Sequence, residues 1–263
     1  MPSNRYSALI EAVFLRHFKS AEQAFEFGRE ELTEVAQASE LSVPKNLGDA
    51  IYSFRYRNEL PAAIRATAPA DHEWIIEGAG RARYRFRCLR KARIAPRAEL
   101  LAIKIPDATP EIIGAHALGD EQALLARVRY NRLIDLFLGI TAFSLQNHLR
   151  TTVKGVGQIE IDEVYIGVDR LGRQFVVPVQ AKGGNDRHGV VQSQQDLACC
   201  QQKFPALICR AVSAQFMSDG RIALFELTLQ DGEIRVVDEK HYQLCPAADI
   251  SAADLQRYAS RGN

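Results

Sequence analysis

The sequence predicts a chain of mixed helix and strand, α+β overall: a small helical N-terminal part closed by a hairpin, then an α/β part with a mixed sheet flanked by helices. Three observations lead there. Residues 6–57 carry apolar side chains at helical spacing in successive segments. Two β-rich runs, Ile159–Val168 and Gln174–Val179, flank a glycine turn at Leu171-Gly172-Arg173, a hairpin signature. Helical patterns at 120–153 and 189–204 surround that hairpin, as expected of a sheet covered by helices.

The 263 residues allow one large or two modest domains, and an apolar fraction of 47% permits a sizeable core. A net charge of +1 names no partner by itself. No apolar run is long enough to span a membrane, and no basic segment precedes an uninterrupted apolar stretch at the N-terminus. Five cysteines without a C-x-x-C pair predict neither a disulfide framework nor a zinc site, and free thiols in a reducing cytoplasm are the expectation.

Residues 6–27 read as one helical unit, with Leu9, Ile10, Val13, Phe14, Phe18, Ala21 and Phe25 inward and Gly28 ending it. A second helix spans about 29–38. A turn through Pro44 leads to a third helix over about 45–57 that buries Leu47, Ile51 and Phe54. Helix, turn, helix is a DNA-reading arrangement, and Lys45, Asn46, Ser53 and Arg55 would face a groove. Next, Trp74–Glu77 and Arg83–Arg87 bracket Gly78-Ala79-Gly80 as a hairpin. Arg81, Arg83, Arg85 and Arg87 belong to a stretch without an acidic residue from Arg81 to Arg97, the footprint of phosphate binding or else a solvated strand face. Three helices followed by a hairpin resemble a winged helix. Composition shifts after this stretch, which divides the chain into 1–98 and 99–263.

In the second part a strand over 100–105 and a proline-punctuated connection precede Asp120, a natural N-cap. A long helical stripe follows, through Leu124, Leu125, Val128, Leu133, Leu136, Phe137 and Ile140, and residues 143–153 continue or restart the helix. After the hairpin comes a loop with Asn185 and Arg187, both offered to DNA. A helix over 189–204 follows, with Val190, Leu197, Cys200 and Phe204 inward and glutamines outward. Strands at 206–216 and 222–230 and a short helix near 252–258 complete the chain.

The chemistry concentrates in the hairpin. Asp162 sits within its first strand, and Gln180-Ala181-Lys182 ends its second. Residues two apart on a strand share a face, so Gln180 and Lys182 project together and a paired strand brings Asp162 beside them. A carboxylate, a neutral oxygen and a lysine at a strand end suit a hard cation beside a water. Glu160 shares the Asp162 face by alternation. Glu163 points away in a regular strand and would return only at a bulge.

This arrangement resembles the PD-(D/E)xK nuclease superfamily, which includes many type II restriction endonucleases. Asp162 matches its metal-binding aspartate and Gln180-Ala181-Lys182 its (D/E)xK element. Gln180 departs from the usual acid and Ile161 from the usual proline. The resemblance covers 120–230 in outline. It implies a Mg2+-dependent endodeoxyribonuclease with catalytic residues Asp162, Gln180, Lys182, Glu121 and Glu163, Asp135 being the alternative helix acid. Metal ligands would come from Asp162, Gln180 and the Ala181 carbonyl. Double-stranded DNA would be the partner, cut by a homodimer. Two rival readings stand beside it: a DNA-binding regulator whose nuclease core is inactive, and a structure-specific repair or recombination nuclease.

Other chemistries lack their residues. The six histidines are scattered without i, i+4 metal spacing. No phosphate-loop pattern predicts ATP use, and no G-x-S-x-G elbow is present. Tyr165-Ile166-Gly167 has no preceding GIY strand, so it reads as ordinary strand.

Overall fold

A computed structural model describes residues 5–20, 22–39, 46–56, 58–91, 94–183, 186 and 188–260. It divides into two compact units. One comprises the described parts of Met1–Ala92 with Thr151–Ile159 and Gly189–Gln195. The other comprises Arg93–Arg150, Glu160–His188 and Asp196–Asn263.

The first unit runs α1 (Arg5–His17), β1 (Ala24–Gly28), α2 (Glu31–Ala38), α3 (Leu47–Tyr56), α4 (Ala62–Ala66), β2 (His72–Gly78) and β3 (Arg83–Arg90). Its three strands are antiparallel in the order β1-β3-β2. The single helical unit expected over 6–27 is corrected: α1 stops at His17, and Ala24–Gly28 is strand. The physical reason is aromatic packing at period two. Phe25 and Phe27 share one face of β1, and both lie against Phe86 on β3, with ring centroids 5.3 and 5.0 Å away. Phe14 of α1 closes this cluster against Phe25, Trp74 and Phe86. The hairpin β2–β3 pairs Trp74 with Cys88 and Gly78 with Tyr84. Its tip needs Gly80 at φ +123, a conformation that costs glycine little.

The second unit contains β4 (Ala102–Pro106), α5 (Glu111–His116), α6 (Glu121–Tyr130), α7 (Leu133–Leu138), β5 (Thr141–Val153), β6 (Gly157–Val168), β7 (Gln174–Lys182), α8 (Val190–Lys203), β8 (Ile208–Cys209), β9 (Ala211–Phe216), β10 (Ile222–Gln230), β11 (Glu233–Cys245) and α9 (Ala252–Ala259); residues 151–159 of β5 and β6 and 190–195 of α8 group with the first unit. The strands form a mixed eight-stranded sheet in the order β4-β11-β10-β9-β7-β6-β5, with β8 beside β7. β7 is antiparallel to β6 and parallel to β9. The large mixed sheet flanked by helices is the C-terminal architecture the sequence predicts.

Two helical expectations fail here. The stripe from Leu124 to Ile140 is two helices, because Arg132 adopts φ +48 and the Asn131 amide bonds the Arg127 carbonyl, closing α6. Leu136, expected inward, is 51% exposed. Residues 143–153 are strand, because Gly139 at φ +66 caps α7 and the Asp135 carboxylate accepts from the Ala142 amide at 2.9 Å, starting β5. Asp120 caps α6 as expected, accepting from the Ala123 amide. One face of the sheet packs on α6 and α7 through Leu124, Leu125, Val128, Val177, Val179, Ala181, Val212 and Leu224.

Candidate active site

β6 and β7 pair from Val168 opposite Gln174 to Glu163 opposite Val179. Asp162 and Gln180 are the next residues on the two strands. From Val179 to Lys182, β7 also runs beside β9. At this point the Ala181 amide donates to the Asp162 carboxylate, N to Oδ2 2.8 Å. Alternation does the sorting. Val177, Val179 and Ala181 enter the core below α6, so Gln180 and Lys182 project from the opposite face.

Gln180 is buried, 3% exposed. Its Nε2 donates to the Glu160 carbonyl at 3.2 Å and to Asp196 Oδ1 at 3.3 Å. Its Oε1 is buried with no hydrogen-bond partner among the described residues. Lys182, with 13% of its side chain exposed, donates from Nζ to Glu121 Oε1 at 3.1 Å. Glu121 opens α6, where a carboxylate also favours the helix dipole. Beside this pair lies a pocket of roughly 360 Å³ lined by Gly119, Asp120, Glu121, Gln122, Gly183 and Asp186.

The electrostatics single out two carboxyls. Burial pushes Asp162 above the ordinary carboxylate range, with partial compensation from the Ala181 amide and Lys182. Burial pushes Asp196 well above it; the Gln180 hydrogen bond opposes and the Asp162 charge adds to the rise. Such groups gain most from an arriving cation. His188 is pushed down to about 3 by burial and then by Lys182, so it is neutral.

Asp162, Gln180, Ala181, Lys182 and Glu121 are thus brought together. Glu163 is not. It is fully buried on the opposite side, accepting from Arg129 Nε at 2.9 Å and Ser144 Oγ at 2.6 Å, because the strand is regular there. Glu160 turns to His148 and Arg150, each 3.2 Å away. Asp135 serves β5, as described. Asp196 is the residue that the sequence reading missed. Helical spacing gives the signal: Ser193, Asp196 and Cys200 fall on one buried side of α8, where a lone acid is costly.

The expected DNA contacts fare unevenly. Lys45, Asn185 and Arg187 lie outside the described residues. Asn46 spends its side-chain oxygen on the Gly48 amide at the start of α3, and Ser53 pairs with Asn58. Arg55 is half-buried between the rings of Tyr56 and Tyr84, at 4.9 and 5.9 Å, so it is not a free reader. Arg81 is exposed at the hairpin tip. Arg83 and Arg85 lie beside Glu26 of β1, and Arg85 and Arg87 beside Glu77 of β2. The acid-free stretch in sequence therefore acquires two carboxylates from neighbouring strands.

Among the described residues, no three His, Cys, Asp or Glu side chains form a metal-holding group. The polar groups gathered here are of another kind: the carboxyls of Asp162 and Asp196 and the amide of Gln180, beside a lysine. The unpartnered Gln180 Oε1 is the observation that fits a hard cation, which takes neutral oxygens alongside carboxylates. No protein-family model, no curated protein and no solved structure matches the chain. No helix among the described residues is long and apolar enough to cross a membrane.

Proposed function

We propose that this chain is a Mg2+-dependent DNA endonuclease of the PD-(D/E)xK kind, with a type II restriction endonuclease as the best biological fit. The observation that carries the reading is the 2.8 Å bond from the Ala181 amide to the Asp162 carboxylate, which ties the aspartate to the Gln-x-Lys triplet. Asp162, Gln180 Oε1, the Ala181 carbonyl and Asp196 would hold the ion. Bound there, Mg2+ supplies charge neutralisation at the scissile phosphate and a more acidic water. Lys182 orients the attacking water and offsets charge developing on the phosphoryl oxygens. Glu121 holds the lysine in place. Asp196 restores the acid that Gln180 lacks, reaching the site from a helix instead of the strand.

The first unit supports DNA binding by its element order. Helix, strand, two helices and a hairpin joined in one three-stranded sheet suit a winged helix, with α4 as an addition. Arg81, Arg83 and Arg85 on the hairpin would meet phosphates, and two copies acting together would cut both strands.

The test is incubation of supercoiled plasmid with purified protein. The reading expects Mg2+-dependent linear or nicked product from the wild type and none from Lys182→Ala. DNA retention without cutting by either protein identifies an inactive regulator. Cutting confined to branched substrates identifies a structure-specific nuclease.

A further inference from the structure

Three cysteines gather where α8 returns to the sheet. Cys199 and Cys200 are buried on α8, and Cys209 is half-buried on β8, opposite Val176 of β7. The connection is tight: the Phe204 amide bonds the Cys200 carbonyl, the Leu207 amide bonds the Phe204 carbonyl, and the Arg210 amide bonds the Val176 carbonyl, at 2.9, 2.9 and 3.0 Å. These turns bring Cys209 back under the last turns of α8, where its thiol is in hydrogen-bond contact with that of Cys200. We propose that Cys200 and Cys209 form a reversible disulfide, an oxidation-responsive clasp between α8 and β8. This inference stands apart from the nuclease reading.

The reactivity has an order. That hydrogen bond and burial hold the Cys200 thiol protonated, while Cys209 is the more accessible of the two. A peroxide is the oxidant. The Cys209 sulfur attacks one peroxide oxygen, the O–O bond breaks, and a sulfenic acid and one water form. The Cys200 sulfur then attacks the sulfenic sulfur, the S–O bond breaks, and a second water leaves with the thiol proton. Two thiols are oxidised and one peroxide is reduced to two waters. Asp196 lies one helical turn before Cys200, so the clasp restrains the helix that carries it.

The test treats the full chain with hydrogen peroxide, then unfolds and alkylates it. The expected product is lighter by two hydrogens, keeps three of the five thiols open to alkylation, and yields a peptide cross-link between the Cys199-Cys200 pair and Cys209. Dithiothreitol restores all five. Cys199→Ala and Cys88→Ser keep the cross-link, and Cys200→Ala and Cys209→Ser lose it, with circular dichroism confirming each fold. Five alkylated thiols after treatment, added oxygen in place of the cross-link, or a cross-link lost in Cys199→Ala overturns the proposal. The wild-type peptide map decides even if a variant fails to fold.

Discussion

Replacing Gln180 with Glu probes the candidate site from the inside. The substitution keeps the shape and exchanges the Nε2 donor for a second acceptor. Two acceptors, the buried Asp196 Oδ1 and the half-buried Glu160 carbonyl, lose the donor now 3.3 and 3.2 Å away. Each such loss costs about 1–3 kcal/mol, so the pair costs about 4 kcal/mol. At roughly 2–4 °C per kcal/mol for a chain of this size, Tm in EDTA falls by about 8–16 °C. A new carboxylate beside Asp162 and Asp196 adds repulsion in the same direction. A divalent cation reverses the sign of that last effect. Mg2+ at 100 times its Kd returns about 2.7 kcal/mol, and the added acid makes the variant the tighter binder. Thermal melts in EDTA and in Mg2+ measure both parts. A variant Tm within about a degree of wild type in EDTA refutes the packing argument. An identical Mg2+ shift in variant and wild type refutes the cation argument.

The remaining predictions use other residues. Asp196 has a raised folded-state pKa, so the stability it contributes is complete below the unfolded value of about 3.9 and is lost as pH rises through the folded value. Asp196→Asn therefore matches the wild type near that pH and exceeds it at neutral pH, as urea midpoints across the range will show; a constant difference contradicts this. Glu163→Gln weakens the charge-assisted bonds to Arg129 and Ser144 and lowers stability by about 1.5–3 kcal/mol, yet leaves plasmid cleavage per folded molecule unchanged. Loss of cleavage by that folded variant would return Glu163 to the site. The double change Arg81→Ala with Arg83→Ala weakens duplex binding and reduces the salt slope by about 2, read from gel shifts over a NaCl series; an unchanged slope removes the hairpin from the interface.

Much of the second unit was legible because its signals are local. The hairpin of β6 and β7 shows itself through valines, isoleucines and a glycine turn, and its register follows from the length of that turn. The shared face of Gln180 and Lys182 follows from period two alone. β5 was misread as helix because residues 143–148 are exposed on nearly every side, so burial left no alternation to read. β11 was missed because Val236-Val237-Asp238-Glu239 breaks the alternation where Val237 is the extra residue in its pairing with β10. β1 was absorbed into α1 because Phe14, Phe18 and Phe25 fit a helical stripe, whereas pairing with β3 decides the matter over long range. Asp196 was out of reach for a similar reason. Its partner Gln180 is sixteen residues away, and only the packing of α8 on the sheet brings them together. The basic hairpin shows the reverse error, since sequence proximity hid Glu26 and Glu77, which arrive from adjacent strands.

Crystals of the protein soaked in MnCl2 test the central claim most directly, because Mn2+ occupies hard-oxygen sites and is located by its anomalous signal. The account predicts a peak at ligand distance from the Asp162 carboxylate and Gln180 Oε1, with Asp196 and the Ala181 carbonyl in reach, and its loss in Asp162→Asn. A strong peak elsewhere with this cluster empty, or a peak that survives the substitution unchanged, contradicts it.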